Sequence, residues 1–241
     1  TVTDQAGREV TLLQEPQRIV TAYYITSSLL IALDLEDRIV GIENNPEKRA
    51  IYGFSAPALL ELPQIGTAKE LDMEAVMALE PDLLVLPMKL KSSVEVLEEL
   101  GMTVILVNPE SQELLLEMIR MVSAATDTRE TGESLISFLE TQEKNLEKIL
   151  SDADRPQVYL AGNSSLLSTA GNAMYQSDMI RLAGGVNVAA EIEDTYWVEI
   201  AYEQLLAWNP DYIILASDDA YTVEDVLADP NLADCAAVVN G

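Results

Sequence analysis

The chain contains no histidine and only one cysteine, Cys235, among its 241 residues. Histidine is the commonest general base and metal ligand in proteins, so a Ser-His-Asp triad and the ordinary zinc sites are excluded. One cysteine cannot form an internal disulfide. Catalysis by a pair of carboxylates stays open, but the 41 Asp and Glu residues make any single pair weak evidence. An enzyme is therefore disfavoured, and neither a cofactor nor a bound metal site is expected.

Basic residues are also scarce, because Lys and Arg number 14 and the net charge is −27. Without basic runs the chain cannot neutralise a phosphate backbone, which excludes nucleic acid as a partner. No apolar run reaches the roughly 18 residues that a membrane-spanning helix requires. The hydrophobic fraction of 49% is nevertheless enough for buried cores. No signal peptide opens the chain, so the leader of an exported protein is expected to have been removed or left out.

Short apolar segments alternate with amphipathic ones. RIVTA, RIVGI, DLLVLP, TVILVN, QVYLAG and YIILAS predict buried strands, and TVTDQAGREVTL predicts a strand pair that turns at Gly7. Helices are predicted over Ser27–Leu35, over SVEVLEELG with Gly101 at its end, and over MIRLAGG, whose glycines end the helix. The proline-rich segment 43–64 is predicted to be a loop. This order of strands and helices predicts an α/β fold with mainly parallel sheets.

The middle of the chain, from residue 111 to residue 150, has apolar residues at helical spacing and no strand pattern. One helix from Thr128 to Ser151 would be about 36 Å long at 1.5 Å per residue. Strand patterns occur on both sides of it. The sequence thus predicts an N-terminal α/β lobe over residues 1–125, a connecting helix over residues 126–152 and a C-terminal α/β lobe over residues 153–241.

Two segments are similar, namely EAVMALEPDLLVL at Glu74–Leu86 and EQLLAWNPDYIIL at Glu203–Leu215. Each predicts a helix, a Pro-Asp break and a buried strand, because Pro81 and Pro210 cannot continue a helix. Chance recurrence of a common helix-to-strand transition is the alternative explanation. We favour two lobes of similar construction.

Ligands of parallel α/β sheets bind beyond the carboxyl ends of the strands. Aromatic and polar residues predominate at those positions here, which is typical of pockets for sizeable organic ligands. They include Tyr23, Tyr24, Thr26, Ser27, Met88, Lys89, Asn163, Ser164, Ser217 and Asp218. Two lobes that face each other would place these residues around one cleft.

Five segments of the chain resemble, in order and with matching spacing, the substrate-binding proteins of ABC importers for ferric siderophores, haem and cobalamin. They are VTDQAGREVTL, PQRIVTAYYITSSLLIALDLEDRIVGI, LPQIGTAKELDMEAVMALEPDLLVL, DMIRLAGGVNVA and WVEIAYEQLLAWNPDYIIL. The resemblance implies two α/β lobes joined by one long helix, with a metal chelate held between them. Members of that family usually continue past the segment matching AVVNG, so a truncated chain or a smaller second lobe is expected.

The same resemblance implies that each lobe presents a glutamate to arginines of the membrane permease. Glu74 and Glu203 stand at the matching positions. A structural role is the alternative, because the helix dipole stabilises a carboxylate in the first turn of a helix. Asp72 is placed to cap the first helix, whereas Ala201 holds the equivalent place in the second, where the family often has serine.

Trp197 matches a ligand-facing tryptophan of cobalamin binders, although a tryptophan beside Tyr196 could instead belong to the core. Tyr52 lies in the matching loop of the first lobe, and Lys89 is placed to meet an anionic chelate. Tyr23 and Tyr24 are expected to ligate haem iron or to line the cleft, with the alternative that one of them packs inward. The full set of expected ligand-binding residues is Tyr23, Tyr24, Tyr52, Thr67, Met88, Lys89, Asn163, Tyr196, Trp197 and Ser217.

Residues and resemblance together predict a non-enzymatic extracytoplasmic binding protein that delivers an iron or cobalt chelate to an ABC permease. A ferric siderophore is favoured, with cobalamin or haem next. The protein is expected to be a monomer, either in the periplasm or on the cell surface as a lipoprotein. The alternatives are a carboxylate-dependent enzyme that uses the same cleft, and an adhesin or surface structural protein with a vestigial site. The absence of histidine argues against the zinc and manganese importers, whose sites depend on it.

Overall fold

A computed structural model of the chain describes residues 1–151, 153–162, 164–193, 195–216 and 220–241. Its contacts divide the chain into two compact units. The first unit comprises Thr1–Pro109 and Glu113–Phe138, and the second comprises Glu110–Gln112 and Leu139–Gly241. Within the described ranges, no helix is both long and apolar enough to cross a membrane.

The first unit opens with a short antiparallel hairpin, β1 (Val2–Thr3) and β2 (Glu9–Val10), which turns at Gly7 as predicted. Four further strands form one sheet in the order β4-β3-β5-β6, and every pairing in it is parallel. Every residue of β5 and β6 is buried, so they form the centre of this unit's core. The strands are β3 (Ile19–Thr21), β4 (Ile39–Gly41), β5 (Leu83–Pro87) and β6 (Val104–Val107).

Helices connect these strands, as the parallel topology requires. The first begins at Tyr24, three residues before the predicted start at Ser27. The helices that precede the long central one are α1 (Tyr24–Ala32), α2 (Ala50–Ser55), α3 (Met73–Ala78), α4 (Val94–Glu99) and α5 (Gln112–Ala125).

The prediction of a loop over residues 43–64 is wrong. The segment contains α2 between two short 3-10 helices, Pro46–Lys48 and Pro57–Glu61. Each proline stands at the start of its 3-10 helix, where the missing N–H costs nothing because that position has no intrahelical acceptor. The prolines therefore begin short helices here and do not break structure.

The long central helix is confirmed as α6 (Arg129–Leu150), with 22 residues and a length of about 33 Å at 1.5 Å per residue. The division between the two units falls inside it, between Phe138 and Leu139. The sequence had instead predicted boundaries at either end of this helix.

The second unit contains a mixed sheet in the order β10-β8-β7-β11, with β9 also paired to β7. The β7–β11 and β7–β9 pairings are parallel, whereas β7–β8 and β8–β10 are antiparallel. A mainly parallel sheet is therefore confirmed only for the first unit. The strands are β7 (Gln157–Gly162), β8 (Ser165–Ala170), β9 (Val186–Asn187), β10 (Trp197–Glu199) and β11 (Tyr212–Ile214), and the helices are α7 (Tyr175–Leu182), α8 (Tyr202–Trp208), α9 (Val223–Leu227) and α10 (Ala236–Asn240).

Glycines end two of the helices, as predicted. Gly101 and Gly184 have φ of 84° and 91°, a conformation that glycine adopts without a steric cost. After α7, the Gly184 N–H donates to the Arg181 carbonyl at 3.1 Å and the Gly185 N–H to the Ile180 carbonyl at 2.9 Å. This pair of bonds satisfies carbonyls that the end of the helix would otherwise leave unpaired.

Candidate functional site

The carboxyl ends of β3, β4 and β5 lie at one edge of the first unit's sheet, because these strands are parallel. Tyr23 and Tyr24 follow β3 where α1 begins, and Met88 and Lys89 follow β5. Met88 is half-buried against the core, whereas the Lys89 side chain is exposed. This edge therefore groups four of the residues that the sequence predicted to bind ligand.

An arginine that the sequence prediction missed stands at the same edge. Arg49 immediately precedes α2, and its guanidinium carbon lies 4.1 Å from the centroid of the Tyr24 ring. The Tyr24 ring in turn meets the Tyr23 ring edge-on, with centroids 5.3 Å apart and planes at 75°. A guanidinium over an aromatic face is attracted by the negative potential of the ring. The position of Arg49 soon after a strand is the only sequence signal that pointed to it.

Beneath this surface lies a buried carboxylate, Glu43, which is 7% exposed. The Tyr52 hydroxyl donates to one carboxylate oxygen at 2.5 Å, and the Ser27 hydroxyl donates to the other at 2.7 Å. Charge-assisted bonds of this length offset the cost of burying the carboxylate. Burial, followed by the bond to Glu43, raises the pKa of the Tyr52 hydroxyl above its usual value.

This placement changes the expectation for Tyr52. Its side chain is fully buried, so it has no surface from which to contact a ligand. The residue instead ties α2 to the segment that follows β4. Tyr52 is therefore not among the proposed ligand contacts.

Thr67 lies in an exposed turn of the first unit. Its hydroxyl accepts the backbone N–H groups of Lys69 and Glu70, both at 3.2 Å. Together with Asn44 and Asp72 it lines a shallow depression of about 330 Å³. The hydroxyl is thus partly committed to shaping the turn.

In the second unit, Tyr196 and Trp197 are 51% and 44% exposed. Trp197 begins β10, which pairs with β8 at the edge of the described sheet. The structure therefore does not support the alternative that Trp197 belongs to the core. Asn163 and Ser217, the other residues predicted to bind ligand in this unit, lie outside the described residues.

Glu74 and Glu203 are exposed in the first turns of α3 and α8. Within the described ranges, neither carboxylate has a hydrogen bond or an ion pair. The Asp72 side chain accepts the Ala75 N–H at 3.0 Å, which confirms it as the cap of α3. Ala201 gives α8 no side-chain cap, again as predicted. Both glutamates are therefore accessible.

The two similar segments also share a backbone feature that the sequence did not predict. Glu80 and Asn209, one residue before each Pro-Asp pair, both have a left-handed backbone with φ of 45°. We call Pro81-Asp82 and Pro210-Asp211 the Pro-Asp junctions. At each junction the chain leaves the helix and enters the strand that follows.

Each junction holds the neighbouring parallel strand at its start. The Asp82 carboxylate accepts the backbone N–H groups of Gln17 and Arg18, at 2.8 and 2.9 Å, just before β3. The Asp211 carboxylate accepts the N–H of Gln157, the first residue of β7, at 2.7 Å. The repetition thus encodes a structural join in each unit as well as a pair of exposed glutamates.

A larger open cavity, of about 540 Å³, lies beside β11 in the second unit. It is lined mainly by apolar residues of β11, α9 and α10 and by none of the predicted ligand-binding residues. The strand ends are the stronger candidate for a ligand site, because they carry aromatic and charged side chains. No group of three or more Cys, Asp or Glu side chains in the described part of the chain is arranged to hold a metal ion.

The chain is similar to one protein family and to several named binding proteins. The family described as "Periplasmic binding protein" matches residues 19–241. The ABC transporter substrate-binding lipoprotein YvrC of Bacillus subtilis, named as uncharacterized, is 23% identical over 89% of this chain and 68% of its own. The vitamin B12-binding protein of Salmonella choleraesuis is 26% identical over 68% of this chain and 62% of its own.

A third relative is known also as a solved structure. The molybdate-binding protein MolA of Haemophilus influenzae is 24% identical over 98% of this chain and 74% of its own. Its structure with molybdate superimposes with a TM-score of 0.84 over 99% of this chain and 80% of that one. At this level of identity, the superposition shows a shared fold.

Proposed function

Because this chain belongs to the periplasmic binding protein family, we propose that it captures a metal chelate outside the cytoplasm and delivers it to an ABC permease. The family match over residues 19–241 carries the proposal, since it extends through both units. A ferric siderophore is the favoured ligand, with cobalamin or haem next. The name of the Bacillus relative supports a lipoprotein at the cell surface or in the periplasm.

The proposed ligand contacts are those predicted residues that reach the surface. Tyr23, Tyr24 and Lys89 offer aromatic faces and a charge at the strand ends of the first unit. Tyr196 and Trp197 offer two exposed aromatic rings in the second. Exposed aromatic side chains of this size supply apolar area for an organic chelate while polar neighbours orient it. Thr67 and Met88 complete this set. Asn163 and Ser217, which lie outside the described residues, are proposed from the sequence alone.

We propose further that Glu74 and Glu203 dock the protein on the permease. Each is an exposed carboxylate without a partner in the described residues, which suits a bidentate salt bridge with an arginine of the partner. Exposed charges of this kind mainly steer association and fix orientation. Their loss should therefore affect delivery and leave chelate capture intact.

One observation favours a second ligand class. The likeness to the molybdate-binding protein covers almost the whole chain, so a small oxoanion is the alternative ligand. The enzyme alternative has no such support, since the relatives reported above are named as binding proteins.

The proposal is tested by titrating the purified protein with ferric siderophores, cyanocobalamin, haemin and molybdate. Binding is followed by tryptophan fluorescence and confirmed by calorimetry. The chain has two tryptophans, and the second, Trp208, donates to Glu191 at 2.6 Å beside the Tyr159 ring. A Trp197→Phe variant identifies the emitting residue, because quenching at the site should disappear in it. If none of these compounds binds, the proposal is wrong.

The docking role is tested separately with Glu74→Ala, Glu203→Ala and the double variant. Chelate affinity should be unchanged in all three, while uptake into vesicles that contain the permease should fall partly in each single variant and severely in the double. Glu61→Ala, which removes an exposed carboxylate elsewhere in the first unit, is the matched control. Normal uptake by the double variant would refute the docking role.

A further inference from the structure

Unlike Arg8, Arg38 and Arg181, Arg49 has no carboxylate partner among the described residues. Arg8, Arg38 and Arg181 each form ion pairs with Asp or Glu side chains. The Arg49 guanidinium forms none with any described residue and makes no side-chain hydrogen bond to one, although the side chain is exposed and the chain carries 41 acidic residues. Its five N–H donors are therefore available to a group from outside the protein.

The guanidinium is nevertheless held in place. It stacks on the Tyr24 ring at 4.1 Å, and Tyr24 is packed edge-on against Tyr23. When a guanidinium stacks on an aromatic ring, its flat face meets the ring and its edge, which carries the N–H groups, stays open to a planar anion. An arginine oriented in this way loses less side-chain freedom on binding than a free lysine would.

The buried layer below fixes the two helices that carry this pair. Arg49 stands at the start of α2 and Tyr24 at the start of α1. Glu43 receives one hydrogen bond from each helix, through Ser27 of α1 and Tyr52 of α2. One buried carboxylate thus joins the first turn of α1 to α2, and thereby sets the separation of Arg49 and Tyr24.

We propose that Arg49, stacked on Tyr24, binds an oxyanion group of the captured ligand, either a carboxylate or an oxoanion, and that Glu43 is its positioning residue. This inference rests on the proposed function, because it assumes that a ligand is captured at this edge of the first unit. It adds a specific chemical requirement. The ligand must present an anionic oxygen group to a fixed guanidinium.

The test uses the whole protein and three anionic probes, namely sodium molybdate, ferric citrate and haemin, with cyanocobalamin as a probe without net charge. Calorimetry is performed on the wild type and on Arg49→Gln, Arg49→Lys and Arg129→Gln. The last variant removes an exposed arginine from the start of α6 and so matches the loss of charge. Thermal unfolding checks that each variant is folded.

For the anionic probe that binds the wild type, Arg49→Gln should lower the affinity by about tenfold or more. This is the usual effect of losing a hydrogen-bonded charge pair. Arg49→Lys should restore part of the affinity, because it keeps the charge but loses the planar stacking. Arg129→Gln should leave affinity unchanged. Raising NaCl from about 20 to about 300 mM should weaken wild-type binding much more than binding by Arg49→Gln.

Glu43→Gln separates positioning from general structure. In the wild-type background, Glu43→Gln should lower the affinity for the anionic probe severalfold. In the Arg49→Gln background it should have no further effect on that affinity. Equal weakening in both backgrounds would refute the positioning role.

Three outcomes separate this inference from the proposed function. If an anionic probe binds and Arg49→Gln weakens it as described, the inference stands. If every probe that binds the wild type binds Arg49→Gln with the same affinity, the inference is refuted while the proposed function stands. If no probe and no siderophore binds the wild type, both are refuted.

Discussion

Two buried tyrosines should make the stability of the protein fall at alkaline pH. Replacing each tyrosine by phenylalanine should show how much of the fall it causes. Tyr52 in the first unit and Tyr159 in the second are both fully buried, and burial raises the pKa of each above the usual value of 10.0. The folded protein therefore keeps these two protons at a pH where the unfolded chain releases them. Stability is fully present below pH 10 and is lost as pH rises towards the folded pKa.

The size of the effect follows from proton linkage. Each tyrosine contributes a slope of about 1.4 kcal/mol per pH unit once the unfolded chain is ionised, or about 1.4 kcal/mol of lost stability by pH 11. Tyr52→Phe removes this proton and also the hydroxyl that donates to Glu43. It should cost about 1.5–3 kcal/mol near pH 8, the usual value for a hydrogen bond to a charged group. The difference between variant and wild type should then shrink by about 1.4 kcal/mol at pH 11.

Urea unfolding followed by circular dichroism, at pH values from about 8 to about 11.5, measures these differences directly. The absence of histidine removes the side chain that usually titrates near neutrality, so the curve below the alkaline limb should be flat. Tyr159→Phe is the companion variant. If the two units unfold in separate transitions, each transition should respond only to the substitution in its own unit. If the Tyr52→Phe and wild-type curves run parallel up to pH 11.5, Tyr52 ionises normally in the folded protein and its assigned environment is wrong.

Three further predictions concern the ligand and the Pro-Asp junctions. Trp197→Ala should weaken ligand binding by about 1–3 kcal/mol with little change in melting temperature, because the side chain is 44% exposed; unchanged affinity with a lower melting temperature would contradict this. Asp82→Ala should lower the free energy of unfolding by about 1–3 kcal/mol through the loss of two backbone hydrogen bonds, measured by urea unfolding against Glu61→Ala. Glu80→Asn should raise that free energy by up to about 1 kcal/mol, because asparagine tolerates the left-handed backbone that Asn209 already adopts at the second junction; a loss of stability would show that the Glu80 side chain has a role of its own.

The regular elements were predictable because their signals are local. The central helix is observed at Arg129–Leu150 against a prediction of Thr128–Ser151, since its apolar spacing continues without a break. The strands β5 and β6 are buried at every position and appear in the sequence as continuous apolar runs. By contrast, β8 and β10 contain polar residues, and their pairing with each other joins segments that are distant in sequence, so neither was predicted.

The chemistry of the candidate site was less accessible to sequence reasoning. Tyr52 and Tyr24 are both tyrosines in segments that follow strands, yet one is buried and the other forms part of the surface. What separates them is Glu43, whose partners come from two different helices and meet it only after folding. For Arg49 the sequence offered only its position soon after a strand, because its lack of an acidic partner among the described residues is a property of its surroundings in space.

The Pro-Asp junctions have a consequence for how long each folded molecule persists. The Asp82 side chain binds backbone groups that lie 64 and 65 positions earlier in the sequence. The Asp211 side chain binds one that lies 54 positions earlier. Bonds between such distant positions require long loops to close, so we expect them to form late, after the folding barrier has been crossed. Interactions absent from the transition state slow unfolding and leave the rate of folding unchanged. The two aspartates would then lower the unfolding rate of their units, and so increase the resistance of each unit to irreversible inactivation.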